Sequence, residues 1–180
     1  MLLLLIIVSF YSLVSFGQPA DVDPIEATIT SIQKEIGDLT NLVEPLNSKT
    51  FLAARKSMTK ATAEQIIKLI QQKRISGTQS EIGVLLLSGL PEDIYLNTTR
   101  PLVAASTQED VLKDLLMPPL PYGPGYANAC KEPKFKEVLV GLKTNAACGK
   151  EVKTVLDLII SGEASRIYSN YRRHPDQYGY

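Results

Sequence analysis

Residues 23–46 read DPIEATITSIQKEIGDLTNLVEPL, and the spacing of their apolar side chains decides the fold class. Asp23 offers a capping carboxylate, Pro24 a first helical residue that needs no amide partner, and Glu26 an acid close to the helix start. Apolar residues follow at Ile25, Ile29, Ile32, Ile36, Leu39, Val43 and Leu46, in alternating steps of four and three. Those steps keep one face of a helix apolar over about three heptads. Glu26, Lys34, Glu35 and Asp38 occupy the outer face. Pro45 is expected to end or kink this helix at Glu44, because a residue before proline avoids the α region.

The chain beyond it gives further helices. A weaker one is expected from about Ser48 to Lys60, with Phe51, Leu52, Ala54 and Met58 on its apolar side. Thr62-Ala63-Glu64-Gln65 is a capping box that either starts a fresh helix or lies inside a longer one. Ile66, Ile67, Leu69, Ile70 and Ile75 supply its apolar face, and Gly77 suits the terminating position. Over residues 80–90, Val84 to Leu87 fit a short helix and a buried strand equally, since four residues carry no decisive period. Pro91-Glu92-Asp93 reads as a helix start and Arg100-Pro101 as a break or kink. Ser106-Thr107-Gln108-Glu109 is a second capping box, leading into Val111, Leu112, Leu115 and Leu116.

Residues 118–130 hold four prolines and two glycines, which forbids helix and predicts a Pro/Gly-rich linker. A C-terminal helical hairpin follows. Phe135, Val138, Leu139 and Leu142 line its first arm, and Val152, Val155, Leu156 and Ile159 its second, from about Ala146 to Gly162. A last helix with Ile167 inward should stop before Pro175, leaving 174–180 as a frayed tail. The sum is an all-α antiparallel bundle of about six helices in a single domain spanning 18–180.

Residues 1–17, MLLLLIIVSFYSLVSFG, contain no charge. The apolar run is shorter than the roughly 20 residues a spanning helix needs. Small residues at Ser15 and Gly17 suit a signal-peptidase site before Gln18. The expectation is a cleaved signal peptide and a secreted chain with no later membrane span; an uncleaved signal anchor is the alternative. Asn97-Thr98-Thr99 is a glycosylation sequon. Cys130 and Cys148 are the only cysteines. In an oxidising compartment they most simply form one disulfide, with two buried free thiols as the alternative.

The chain balances 19 Lys and Arg against 19 Asp and Glu, without the basic excess expected of a nucleic-acid binder. One His and two Cys leave too few ligands for most multi-His or multi-Cys metal sites. No nucleophile elbow, zinc-protease, Walker or dinucleotide motif is present. His174 stands in the tail, where a catalytic imidazole would lack a rigid mount. The acid pairs Glu92-Asp93 and Glu109-Asp110 read as first-turn acids that favour the helix dipole. The reading is therefore a non-enzyme without catalytic residues, cofactor or metal. Near the C-terminus Arg166, Arg172 and Arg173 interleave with Tyr168, Tyr171, Tyr178 and Tyr180, either as a partner surface or as rings covering the bundle edge.

The helix faces are rich in Ile and Leu and nearly free of aromatics. Ordinary core packing explains them, and so does a bundle that encloses a lipid. On the second reading Ile29, Ile32, Ile36 and Leu39 would face the ligand from the first helix. Val138, Leu142, Val155 and Ile159 would do so from the hairpin. The alternative partner is another extracellular or cell-wall protein; a hydrolase on extracellular polymers would rest only on dispersed carboxylates.

Three stretches, IEATITSIQKEIGDLTNLVEPLN, ISGTQ and VLVGLKTNAACGKEVKTVLDLIIS, give the chain a layout that resembles the fungal hydrophobic-surface-binding family, which includes cell-wall galactomannoproteins. The resemblance covers about half the chain in spacing. It implies a secreted all-helical domain, some relatives of which hold lipids or attach to hydrophobic surfaces. The Pro-rich segment, the cysteine pair and the Tyr/Arg tail depart from that pattern, and no binding residue carries over.

Overall fold

A computed structural model describes residues 23–37, 44–106, 108–144 and 148–178. Among them are nine α-helices: α1 Pro24–Ile36, α2 Lys49–Lys56, α3 Lys60–Gln71, α4 Thr78–Leu87, α5 Glu92–Ala105, α6 Glu109–Leu116, α7 Pro133–Thr144, α8 Lys150–Ile160 and α9 Glu163–Arg173. Short 3-10 turns occupy Glu44–Asn47, Leu120–Tyr122, Ala129–Lys131 and Pro175–Tyr178. No strand occurs among the described residues, and the helices pack as an all-α bundle. None of them is long and apolar enough to cross a membrane. The signal segment, its cleavage site, Leu39, Val43 and Tyr180 lie outside the described residues.

The capping chemistry at Asp23 forms as expected. Asp23 Oδ1 accepts the amides of Ile25 at 2.9 Å and Glu26 at 3.4 Å. The helix nevertheless stops at Ile36, well short of Pro45. Gly37 follows with φ +72°, a left-handed conformation that glycine adopts without a Cβ penalty. The heptad spacing thus runs past the helix end, and Leu46 sits in a 3-10 turn.

α4 settles the question left open at 84–87. It packs against α1, α2, α3 and α6. Ile82 through Leu87 are all buried, so it has no outer face and no period to read. α3 starts at Thr59, whose Oγ1 accepts the Thr62 amide at 3.2 Å, so the expected box at Thr62 lies inside the helix. α3 also ends earlier than expected. Lys73, at φ 55°, turns the chain, and the Arg74 amide returns to the Leu69 carbonyl at 3.0 Å. Gly77 instead precedes α4 as its N-cap. α5 runs through Pro101 without ending there.

The Pro-rich segment packs into the core through its tyrosines. Tyr122 and Tyr126 are 1% and 0% exposed. Tyr126 shares a 2.9 Å hydrogen bond with Thr99 Oγ1 and donates to the Leu96 carbonyl at 3.3 Å. Its amide donates to the Leu116 carbonyl at 2.8 Å, and Arg55 on α2 donates to the Tyr122 carbonyl at 2.7 Å. Phe51 meets Tyr122 edge-on, and Tyr95 and Phe135 both meet Tyr126. The interior therefore holds two aromatic groups, Phe51 with Tyr122 and Tyr126 with Tyr95 and Phe135, contrary to the aromatic-poor core read from helix faces alone.

Candidate functional site

The first turn of α1, all of α2 and the start of α3 enclose a surface groove of about 690 Å³. Its floor is Ile66 and Leu86, both buried in the core. Ile25, Ala53, Ala54 and Met58 form apolar walls. Thr28, Lys49, Thr50, Ser57 and Thr62 form a polar rim. The cause of the groove is local. Ser48 caps α2 by accepting the Phe51 amide at 3.0 Å. That fixes α2 with Phe51 buried and the small Ala53 and Ala54 turned toward the space between α1 and α3. Leu52 remains 44% exposed beside it, where an inward position was expected.

Lys49 also borders a second, more polar cleft with Glu35, Ile36, Asn47, Ser48 and Thr50. There Ser48 Oγ donates to Glu35 Oε2 at 2.6 Å and Thr50 donates to Oε1. Those two hydroxyls hold the Glu35 carboxyl below the ordinary carboxylate range. The groove thus joins an apolar trough to one lysine and a fixed carboxylate.

The residues expected to face a ligand lie elsewhere. Ile29, Ile32 and Ile159 are fully buried and Leu142 nearly so. Ile36, Val138 and Val155 are half-buried against the same core. α1 packs on α2, α3 and α4, while α7 packs on α5 and α8 on α6. Among the described residues, none of those named lines the groove between α1, α2 and α3. Ile36 alone borders a cleft. The groove residues carried no sequence signal, because a cleft made by two alanines reads as a weak helix.

Cys130 and Cys148 are free thiols, which corrects the expected pairing. Cys130 precedes the start of α7 and Cys148 precedes the start of α8. In an antiparallel hairpin these points lie at opposite ends. The 12 residues of α7 set them about 18 Å apart at 1.5 Å per residue. A disulfide needs Cα atoms within about 7 Å. Burial pushes both thiols up from their ordinary pKa.

Asn97 is exposed on α5; its amide donates to the Asp93 carbonyl at 2.7 Å, while Thr99 is buried. His174 caps α9 on the surface. The C-terminal tyrosines form a ladder, with Tyr171 6.4 Å from Tyr168 and 5.7 Å from Tyr178 between ring centres. The described part of the tail therefore contacts α9 through Tyr178. Arg166 pairs with Glu163. Among the described residues no group of three or more His, Cys, Asp or Glu is placed to hold a metal ion. Comparison with protein-family models, curated proteins and solved structures finds no match.

Proposed function

We propose that this protein is a secreted, non-enzymatic helical binding module, and that the groove between α1, α2 and α3 takes the apolar part of a lipid. The observation that carries the reading is the groove itself: an apolar floor continuous with the core, open to solvent, with a polar rim on both sides. Ligand sites of bundles have this character, mostly apolar with a few polar groups that fix orientation. Each buried methylene contributes about 0.8 kcal/mol. Against an association cost of at least about 4 kcal/mol, micromolar binding at about −8 kcal/mol takes about fifteen buried methylenes. An open trough therefore selects a long chain. The same reading includes removal of residues 1–17 and glycan attachment at the exposed Asn97.

The test is thermal unfolding of the secreted protein with and without palmitate, run alongside an Ala54→Trp variant that fills the trough. Palmitate should raise the melting temperature of the parent and leave the variant unmoved. If neither chain responds, the interaction-protein reading takes its place, supported by the exposed Leu52 and the C-terminal tyrosine ladder.

A further inference from the structure

On the reading of the groove between α1, α2 and α3 as a lipid site, we propose that it selects a long-chain carboxylate and that the Lys49 ammonium recognises the headgroup. Of the eleven residues that line the groove, Lys49 is the only one that carries a charge. It is the first residue of α2, exposed where the groove meets the more polar cleft beside it. It makes no ion pair among the described residues. The apolar floor of Ile66 and Leu86 thus ends at a single unpaired cation.

The other polar side chains of the groove are already hydrogen-bonded within the chain. Thr28 Oγ1 donates to the Pro24 carbonyl at 2.8 Å, and Ser57 Oγ to the Ala54 carbonyl at 3.1 Å. Thr50 donates to Glu35, and Thr62 shares a 2.9 Å hydrogen bond with Thr59. A neutral hydroxyl headgroup would find oxygens to donate to, which water offers equally well. An anionic oxygen carries no proton and needs a donor. The Lys49 ammonium brings three donors together with a complementary charge.

The neighbouring charges leave Lys49 available for this. Glu35, in the adjoining cleft, has its carboxyl oxygens taken by the Ser48 and Thr50 hydroxyls. Arg55, on the same helix, does not line the groove and donates to the Tyr122 carbonyl at 2.7 Å. Lys60, at the start of α3, pairs with Glu64 at 3.6 Å. No Asp or Glu lines the groove among the described residues, so an incoming carboxylate meets no like charge on its walls.

Equilibrium binding of palmitate and of 1-hexadecanol to the secreted protein tests the assignment. The two probes share a chain length and differ in charge at about pH 8, where the carboxylate is ionised. Lys49→Met should weaken palmitate by about fivefold, the scale of one exposed ion pair, and leave hexadecanol unchanged. Lys49→Arg should keep the parent's affinity for both. An equal change for the two probes in Lys49→Met, or no change in either, overturns the role of Lys49 while the groove remains a lipid site. Binding of neither probe to the parent overturns the lipid site and the headgroup assignment together. Should Lys49→Met fail to fold, salt gives the second reading on the parent. Raising NaCl to about 1 M should weaken palmitate relative to hexadecanol, and an unmoved ratio overturns the assignment.

Discussion

Glu109 Oε1, in the first turn of α6, accepts the backbone amide of Glu151, in the first turn of α8, at 3.1 Å. One helix thereby caps another, using a side chain distant in sequence. The neighbouring Gly149 makes room for this, because a Cβ there would meet the Glu109 carboxylate. The sequence around Ser106 reads as a self-contained capping box, yet Glu109 turns outward and Ser106 Oγ accepts only the Gln108 amide at 3.2 Å.

Glu109→Ala should therefore destabilise the fold by about 1 kcal/mol, the usual cost of losing a cap. The loss should show as faster amide exchange at the start of α8 rather than of α6. Gly149→Ala should cost a similar amount by displacing the same carboxylate. A Glu109→Ala chain with unchanged urea midpoint and unchanged exchange in α8 would exclude the cap.

Lys73 is a non-glycine residue at φ 55°, where the left-handed backbone costs an L-residue about 1–2 kcal/mol. Glycine removes that cost but gives up about 0.4–1 kcal/mol through the unfolded chain. Lys73→Gly should therefore stabilise by about 0.5–1 kcal/mol. A thermal scan should rise by about 1–4 °C. Lys73→Ala, which keeps the Cβ, should give no such gain.

What was legible in the sequence follows the reach of each interaction. Asp23 could be read as a cap because its partners are two and three residues away. Glu109 could not, because its partner lies on another helix. α4 hid its period because it is surrounded. The groove was illegible for a different reason: it depends on volume that Ala53 and Ala54 do not fill, and an absence of bulk has no pattern. The prolines of 118–130 exclude an α-helix there, and only short 3-10 turns form; proline content reports backbone angles and says nothing of where Tyr122 and Tyr126 point.

Tyr126→Phe tests that segment. It keeps the ring among Tyr95 and Phe135 but removes the hydroxyl that Thr99 and the Leu96 carbonyl share. Loss of a buried hydrogen-bonded group should cost about 1–2 kcal/mol. Tyr126→Ala also leaves a cavity and should cost about 3–5 kcal/mol. A Tyr126→Ala chain as stable as the parent would mean that the segment lies outside the core.

The thiols give a chemical check on the hairpin. With Cys130 and Cys148 at opposite ends of α7, neither should be found oxidised to the other in protein purified without reductant. Alkylation should be slow at Cys148, which is 7% exposed, and complete at both positions in denaturant. A Cys130–Cys148 peptide in a non-reducing map would require the hairpin to pack differently.

The last expectation separates charge from cap at Asp23. Burial pushes this carboxyl up, but the Gln65 side chain, the amides of Ile25 and Glu26, and the Arg74 charge outweigh it, so its pKa falls below 3.8. A depressed carboxyl stabilises the fold above its unfolded pKa, and that contribution disappears as pH falls through the folded value. Asn is as good an N-cap as Asp, whereas Ala costs about 1 kcal/mol. Asp23→Asn should therefore be less stable than the parent at neutral pH by the charge contribution alone, and the gap should narrow as pH falls below 3.8. Asp23→Ala should show a larger gap, part of which persists in acid. The measurement is a urea midpoint for the three chains across that range. A parent-to-Asn gap that does not change with pH would show that Asp23 acts as a cap without any net benefit from its charge.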